Sequence, residues 1–336
     1  MYFKIPSGTS RGILKTKETW FLVLEKDGKK GFGECGLFKG LSIDDRPDFE
    51  QKLKWVCQHI NEGLEELLLK TIEFPSIQIG LEQAFLSLNS TSSFELFPSK
   101  FLESDRGIDI NGLIWMGDKQ FMKDQIKEKI QEGFRCIKMK IGAIDFQTEL
   151  TLLQAIRKEY SVNDIQLRVD ANGAFKPFEA LEKLSRLSKY NIHSIEQPIQ
   201  KKQTQEMAAL CEKSPIPIAL DEELIGIFDS YQKNKILQMI QPQFIILKPS
   251  LVGGFKGSQE WIDLAKKSNI NWWVTSALES NIGLNAIAQW TYTLKNKMPQ
   301  GLGTGSLFTN NFECPLEVKN GYLYYHKKKN WNINLR

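Results

Sequence analysis

The sequence predicts an α/β protein: a (β/α) barrel preceded by a smaller α+β module. Three observations predict it. From residue 108 onward, short β-branched runs alternate with helical stretches, the pattern of a parallel sheet with crossover helices. Three of these runs, 165–170, 193–196 and 216–221, stop at an acid. The acids Asp170, Glu196 and Asp221 are spaced by roughly 25 residues, about one βα unit of an eight-unit barrel. Before residue 106 the strand-like runs come first and the helical runs follow, which is an α+β order.

Taken in order, residues 12–14, 19–25 and 31–36 read as an antiparallel meander, with Asp27-Gly28 as the hairpin signal between the last two. Residues 36–42, flanked by Gly36 and Gly40 and carrying Leu37 and Phe38, read as a mobile, exposed loop. Apolar residues at helical spacing (Leu53, Val56, Ile60, Leu64, Leu67) predict one helix over 49–69, and Ser76 caps a second over 77–88. Residues 89–106 are weakly patterned and read as a junction. Barrel strands are predicted at 108–115, 135–142, the three acid-ended runs, 243–249, 272–280 and 300–305. Helices are predicted over 118–132, stopped by Gly133, and over 146–159. The division is 1–105 for the module and 106–311 for the barrel; 312–336, with a strand at 321–325, returns to complete the module.

A net charge of +4 on 336 residues argues for neither nucleic acid nor a membrane surface. No apolar run approaches the ~20 residues of a membrane span, and the first residues lack the apolar core of a signal peptide. The five cysteines (35, 57, 136, 211 and 314) are scattered without a CxxC pair, which points to free thiols in the cytoplasm. The three histidines (59, 193 and 326) have no metal-ligand spacing, so neither a zinc site nor a histidine-based triad is expected. Acid–base chemistry then falls to carboxylates and lysines.

Asp170, Glu196 and Asp221, at the ends of consecutive parallel strands, would converge on one rim. Three hard oxygen donors there suit Mg²⁺. The plainer reading makes each acid a helix N-cap. Lys138 and Lys140 lie two apart on one strand and so point to the same side, into the barrel. Lys248 ends a strand on the far side of the acids. A lysine beside a metal has its charged form disfavoured and can act as a base; alternatively the lysines only balance the acids. The glycines of 301–305 could cradle an anion.

Lys138-Met139-Lys140, Asp170-Ala171-Asn172, Glu196-Gln197-Pro198, Asp221-Glu222 and Lys248-Pro249, in this order and spacing, resemble the enolase superfamily, in its muconate-lactonizing branch. The resemblance implies a barrel of the enolase type, a modified TIM barrel, with an N-terminal capping domain. It implies Mg²⁺ on Asp170, Glu196 and Asp221, and Lys140 and Lys248 as the catalytic pair. Lys138 and Asn172 would orient them, and Ser276 and Thr304 would contact substrate. Residues 275–285 and 301–305 resemble the o-succinylbenzoate synthase family of menaquinone biosynthesis. That likeness implies a small carboxylate substrate, a hydroxylated, succinyl-bearing cyclohexadiene, which loses water to become aromatic. Dipeptide epimerases and N-acylamino acid racemases share the same ligands and lysines; for them an acid near the capping loop, Asp44 or Asp45, would hold a free amine. A metal-binding scaffold without catalysis is the third reading.

Overall fold

Residues 1–9, 12–104 and 106–334 are described by the computed structural model. Two antiparallel ladders open the chain: β1 (Tyr2–Thr9) with β2 (Gly12–Thr16), and β3 (Trp20–Lys26) with β4 (Lys29–Cys35). Asp27 and Gly28 turn β3 into β4 with φ of 51° and 74°, the positive pair of a tight hairpin. The predicted meander is therefore two separate ladders. Strand β1, which contains Pro6 and lies in a two-stranded ladder, is not among the predicted strands.

Helix Pro75–Asn89 packs on β4 at very short range. A Cβ on Gly33 would lie 1.9 Å from the Gly80 carbonyl oxygen, so both positions need glycine for this approach. Ser76 is not its cap. Phe74 is the N-cap and Pro75 opens the helix, while the amide and hydroxyl of Ser76 donate to Asp44 at 2.9 and 2.5 Å. The helix predicted over 49–69 is two, Phe49–Gln58 and Leu64–Lys70, because Gly63 at φ 88° breaks it. These elements enclose a small core that includes Leu22, Val56, Leu67, Ile77 and Leu81.

The long predicted strand at 108–115 is two short ones, β5 (Ile108–Asp109) and β6 (Gly112–Ile114). A seven-stranded parallel sheet runs from β6 through β7 (Cys136–Lys140), β8 (Gln166–Asp170), β9 (Ser194–Glu196), β10 (Ile218–Leu220) and β11 (Phe244–Leu247) to β12 (Asn271–Val274). Asp118 and Asp145 cap helices Lys119–Gln131 and Phe146–Glu159 with their side chains, as the predicted helix starts require. The predicted eighth strand shrinks to Gln300 and Gly301, which bridge Ile110 on one side and Thr275 on the other. The Gly301 amide donates to Val274 at 2.8 Å, and that of Asn111 to Gln300 at 2.9 Å, so two residues close the ring. A Cβ on Gly301 would meet the Thr275 hydroxyl at 2.0 Å. Gly301 thus serves close packing, and its amide is taken rather than free for an anion.

β13 (Leu316–Lys319) and β14 (Tyr322–Tyr325) form a hairpin, and β14 pairs with β5. The strand at 321–325 therefore joins the start of the barrel segment, not the N-terminal ladders. The return contact is made earlier in the chain. The Lys4 amide donates to the Leu307 carbonyl at 2.8 Å, and the Thr309 amide to the Tyr2 carbonyl at 2.9 Å. No helix among the described residues is long and apolar enough to cross a membrane.

Candidate active site

Lys140, Asp170, Glu196, Asp221 and Lys248 each end a barrel strand or follow it directly, Lys138 lies two residues inside β7, and the sheet order places them side by side: β7, β8, β9, β10, β11. The three acids occupy the middle, with Lys140 and Lys248 on either flank. Lys138 donates to Asp170 at 3.0 Å and to Glu196 at 2.7 Å. Lys140 donates to Asp170 at 3.0 Å and to the Asn172 side chain at 2.7 Å. Lys248 bonds Asp221, and its ammonium lies 4.0 Å from Glu196. All three acids are at most 2% exposed. Three buried carboxylates and three ammonium groups thus balance in formal charge, the condition for burying either set.

Burial works against the charged forms of Lys138, Lys248, Asp170, Glu196 and Asp221, and the partners decide the outcome. Burial would lower Lys138, but Asp170 and Glu196 outweigh it and hold Lys138 above the usual lysine range. Lys248 is raised in the same way by Asp221 and Glu196. The acids thus favour the charged form of these two ammonium groups. Burial pushes Asp170 up, yet Lys138, Lys140 and Lys248 bring it below the usual carboxylate range. Glu196 goes the other way, raised by burial and by the negative charge of Asp170.

Glu196 also carries the observation that bears on a metal. Its Oε1 is buried without a hydrogen-bond partner. An orphaned carboxylate oxygen beside two further acids is an all-oxygen donor set that fits a hard divalent cation. Among the described residues the acids do not yet converge as a cation cage. The ammonium of Lys138 bonds two of them, through Asp170 Oδ2 and Glu196 Oε2, and leaves Glu196 Oε1 open.

A cavity of about 910 Å³ opens onto Lys138, Lys140, Asp170, Asn172 and Lys248. Ser276 and Thr304 line it too, with their hydroxyls 2.6 Å apart. Phe38 and Leu41 supply an apolar wall from the 36–42 loop. That loop is not exposed as predicted. Leu37 and Phe38 are buried, Leu37 in the small N-terminal core, and the Phe38 carbonyl accepts from the amides of Leu41 and Ser42.

A matching family model, described as enolase C-terminal domain-like, covers residues 121–329, more than half of the chain. The chain belongs to the enolase superfamily. It is 45% identical to an o-succinylbenzoate synthase of Desulfotalea psychrophila over 96% of both chains. The crystal structure of MenC from the same organism superposes with a TM-score of 0.84 at 43% identity, covering 93% of this chain and 95% of that one. The muconate lactonizing enzyme of Pseudomonas fluorescens, at 20% identity, shares the fold with a TM-score of 0.82 over 98% and 94% of the two chains. Enolase superfamily members use a divalent metal, in keeping with the oxygen donor set on β8, β9 and β10.

Two residues of this enolase-type rim escaped the sequence reading of roles. Gln197, at φ 39° and fully buried, accepts from the amides of Asp221 and Glu223 at 3.2 and 3.3 Å. It ties the strand end of Glu196 to that of Asp221. Glu222 accepts from Asn172 at 3.0 Å and so turns the Asn172 carbonyl oxygen toward Lys140. The signal was present in both cases, as a polar residue directly after a strand-end acid.

Proposed function

We propose that the chain carries out the o-succinylbenzoate synthase reaction, loss of water from a succinyl-bearing hydroxycyclohexadiene carboxylate to give o-succinylbenzoate. Its likeness to the Desulfotalea psychrophila enzyme along nearly the whole length supports this reading. The observation that carries the chemistry is the flanking of three buried acids by Lys140 on one side and Lys248 on the other. Mg²⁺ on Asp170, Glu196 and Asp221 would supply positive charge to the substrate carboxylate. Lys140 takes the proton α to that carboxylate at its Nζ and returns it to the departing hydroxyl, so the C–H and C–O bonds break on one face. The Lys248 ammonium stays charged and faces the developing negative charge from the other side. Lys138 and Asn172 hold Lys140 and the acids in register. Ser276 and Thr304 are the proposed polar contacts for the rest of the substrate. The reaction belongs to menaquinone biosynthesis, and the cytoplasm is the proposed location.

One feature favouring an epimerase is absent from the cavity wall. Asp44 is buried against Ser76, and Asp45 accepts from the Gly40 amide at 2.7 Å, so both acids hold the loop in place. Turnover in D₂O with Mg²⁺ tests the assignment. The diene should yield the aromatic product, with little exchange of the α-proton of dipeptides or acylated amino acids. Lys140→Ala should lose ~10²–10⁴-fold in rate. Rapid exchange into both enantiomers of such a compound, without aromatic product from the diene, would overturn the reading in favour of a racemase.

A further inference from the structure

A second buried charge cluster lies apart from the acid–lysine network, where the N-terminal ladders meet the loop after β12. Lys17, Glu34 and Glu279 are 7%, 0% and 0% exposed. Glu34, near the end of β4, accepts from the amide and hydroxyl of Ser280 at 2.8 and 2.6 Å and from the Gly283 amide at 2.9 Å. It thereby caps helix Asn281–Thr293 from outside the barrel. Glu279 accepts from the Ser250 hydroxyl at 2.5 Å and from the Ala277 amide at 2.8 Å. Lys17 donates its ammonium to the carbonyl of Leu278 at 2.8 Å.

Leu278 is the telling partner. Its φ of 60° is left-handed, a conformation that is strained for a bulky residue and persists only when its surroundings impose it. Leu278 lines the large cavity beside Ser276 and Ala277. On the other side of the joint, Glu34 is followed by Gly36 and then by the loop that gives Phe38 and Leu41 to the same cavity. A Cβ on Gly36 would lie 3.0 Å from the Lys17 ammonium. Ser250 stands two residues past Lys248. The joint thus touches both cavity walls without lining the cavity itself. A buried ammonium is costly unless it is paired and hydrogen-bonded; here Glu34 and Glu279 supply the opposite charge, and the hydrogen bond goes to a strained carbonyl.

We infer that Lys17 is a positioning residue for substrate selection: by holding the Leu278 carbonyl it sets the 276–278 wall against the 36–42 loop. The inference rests on the reading above that this cavity receives the substrate. It concerns binding shape rather than proton transfer, so its signature is in KM.

Lys17→Met, of similar length but without charge, is the test. Loss of one charge-assisted hydrogen bond should raise KM for the diene roughly tenfold, with kcat changing by less than about threefold. Lys17→Arg, which keeps the charge, should recover most of the loss. Amide hydrogen exchange, followed by mass spectrometry without substrate, should speed up in 276–284 and 36–42 and stay unchanged in 166–170 and 244–247. Wild-type KM with wild-type exchange would overturn the inference, as would lowered thermal stability with KM unmoved. If the wild-type enzyme does not turn over the diene, the reaction assignment fails, and the exchange result still decides the role of Lys17. Should Lys17→Met not fold, Lys17→Gln supports the same comparison.

Discussion

Lys138 alone bridges Asp170 and Glu196, which ties the ends of two neighbouring strands together. The proposed ligand roles of the acids can be separated from the proposed orienting role of Asn172 by magnitude. Removing a neighbour that only orients ligands typically costs ~10–100-fold in metal affinity. Asn172→Ala should fall in that range. Asp170→Asn, Glu196→Gln and Asp221→Asn should each exceed it, with Mg²⁺ binding measured by calorimetry and folding checked by circular dichroism. An acid variant that binds Mg²⁺ like the wild type is not a ligand. The acids and lysines were readable from sequence, since a carboxylate at the end of an apolar run is a local pattern. The ammonium–carboxylate pairing of Lys138 and Lys248 was not readable, because it depends on distances across neighbouring strands.

Among the elements, the 36–42 loop shows where sequence misleads. Glycines beside apolar residues suggest an exposed flap, yet Leu37 and Phe38 are buried, and the loop bonds within its own turn and to Asp45. The two apolar residues then have different tasks, and double-sided kinetics and stability measurements can separate them. Leu37→Ala should destabilise by about 2–5 kcal/mol, the usual cost of emptying a core site, with KM little changed. Phe38→Ala should raise KM while Mg²⁺ affinity holds; a Phe38 variant with wild-type KM would remove the loop from substrate binding. Helix Gly254–Lys267 carries another element-scale expectation. Its first N–H groups, those of Phe255 and Lys256, donate to Glu82 of helix Pro75–Asn89 at 2.5 and 2.9 Å. Burial raises Glu82 from 4.5 to about 7, although these two amides pull it down. A carboxyl raised on folding stabilises fully below its unfolded value near 4.5 and loses that contribution as pH rises through about 7. Urea unfolding across that window should therefore show stability in Glu82→Gln falling less steeply with pH than in the wild type, by at most about one proton's worth of slope. Equal slopes would mean that Glu82 ionises freely in the folded protein. Nothing local in the sequence marks Glu82, 173 residues away, as the cap of helix Gly254–Lys267.

At the scale of the whole chain, the alternation of strand and helix was legible because each barrel unit is local, and the run at 300–305 marked where the ring closes, but not how short the closing pairing is. Two residues, Gln300 and Gly301, replace a full strand, and β14 docks on β5 instead of on the N-terminal ladders. Both are long-range choices that periodicity does not encode. We propose 1–105 and 106–311 as the capping and barrel domains, with 312–336 touching both: Phe312 meets Phe21, Trp331 stacks on Phe94 at 4.2 Å, and β14 pairs with β5. The domains are separate cores but share their seams. Ile79, Phe38 and Leu41 of the N-terminal part belong to the large barrel core. Glu34 and Glu82 cap two barrel helices. Removing 1–105 would free those helix N–H groups, but water can take their place, so the hydrogen-bond loss is small. The apolar face under helix Pro75–Asn89 has no such substitute, and its exposure decides the outcome. Residues 106–336 produced alone should keep helical signal in the far ultraviolet, lose near-ultraviolet signal, and bind an apolar dye, as a chain with secondary structure but loosened packing does. A single cooperative thermal transition at the full-length midpoint, without dye binding, would show that the barrel needs no cap to fold and that the module serves the cavity alone.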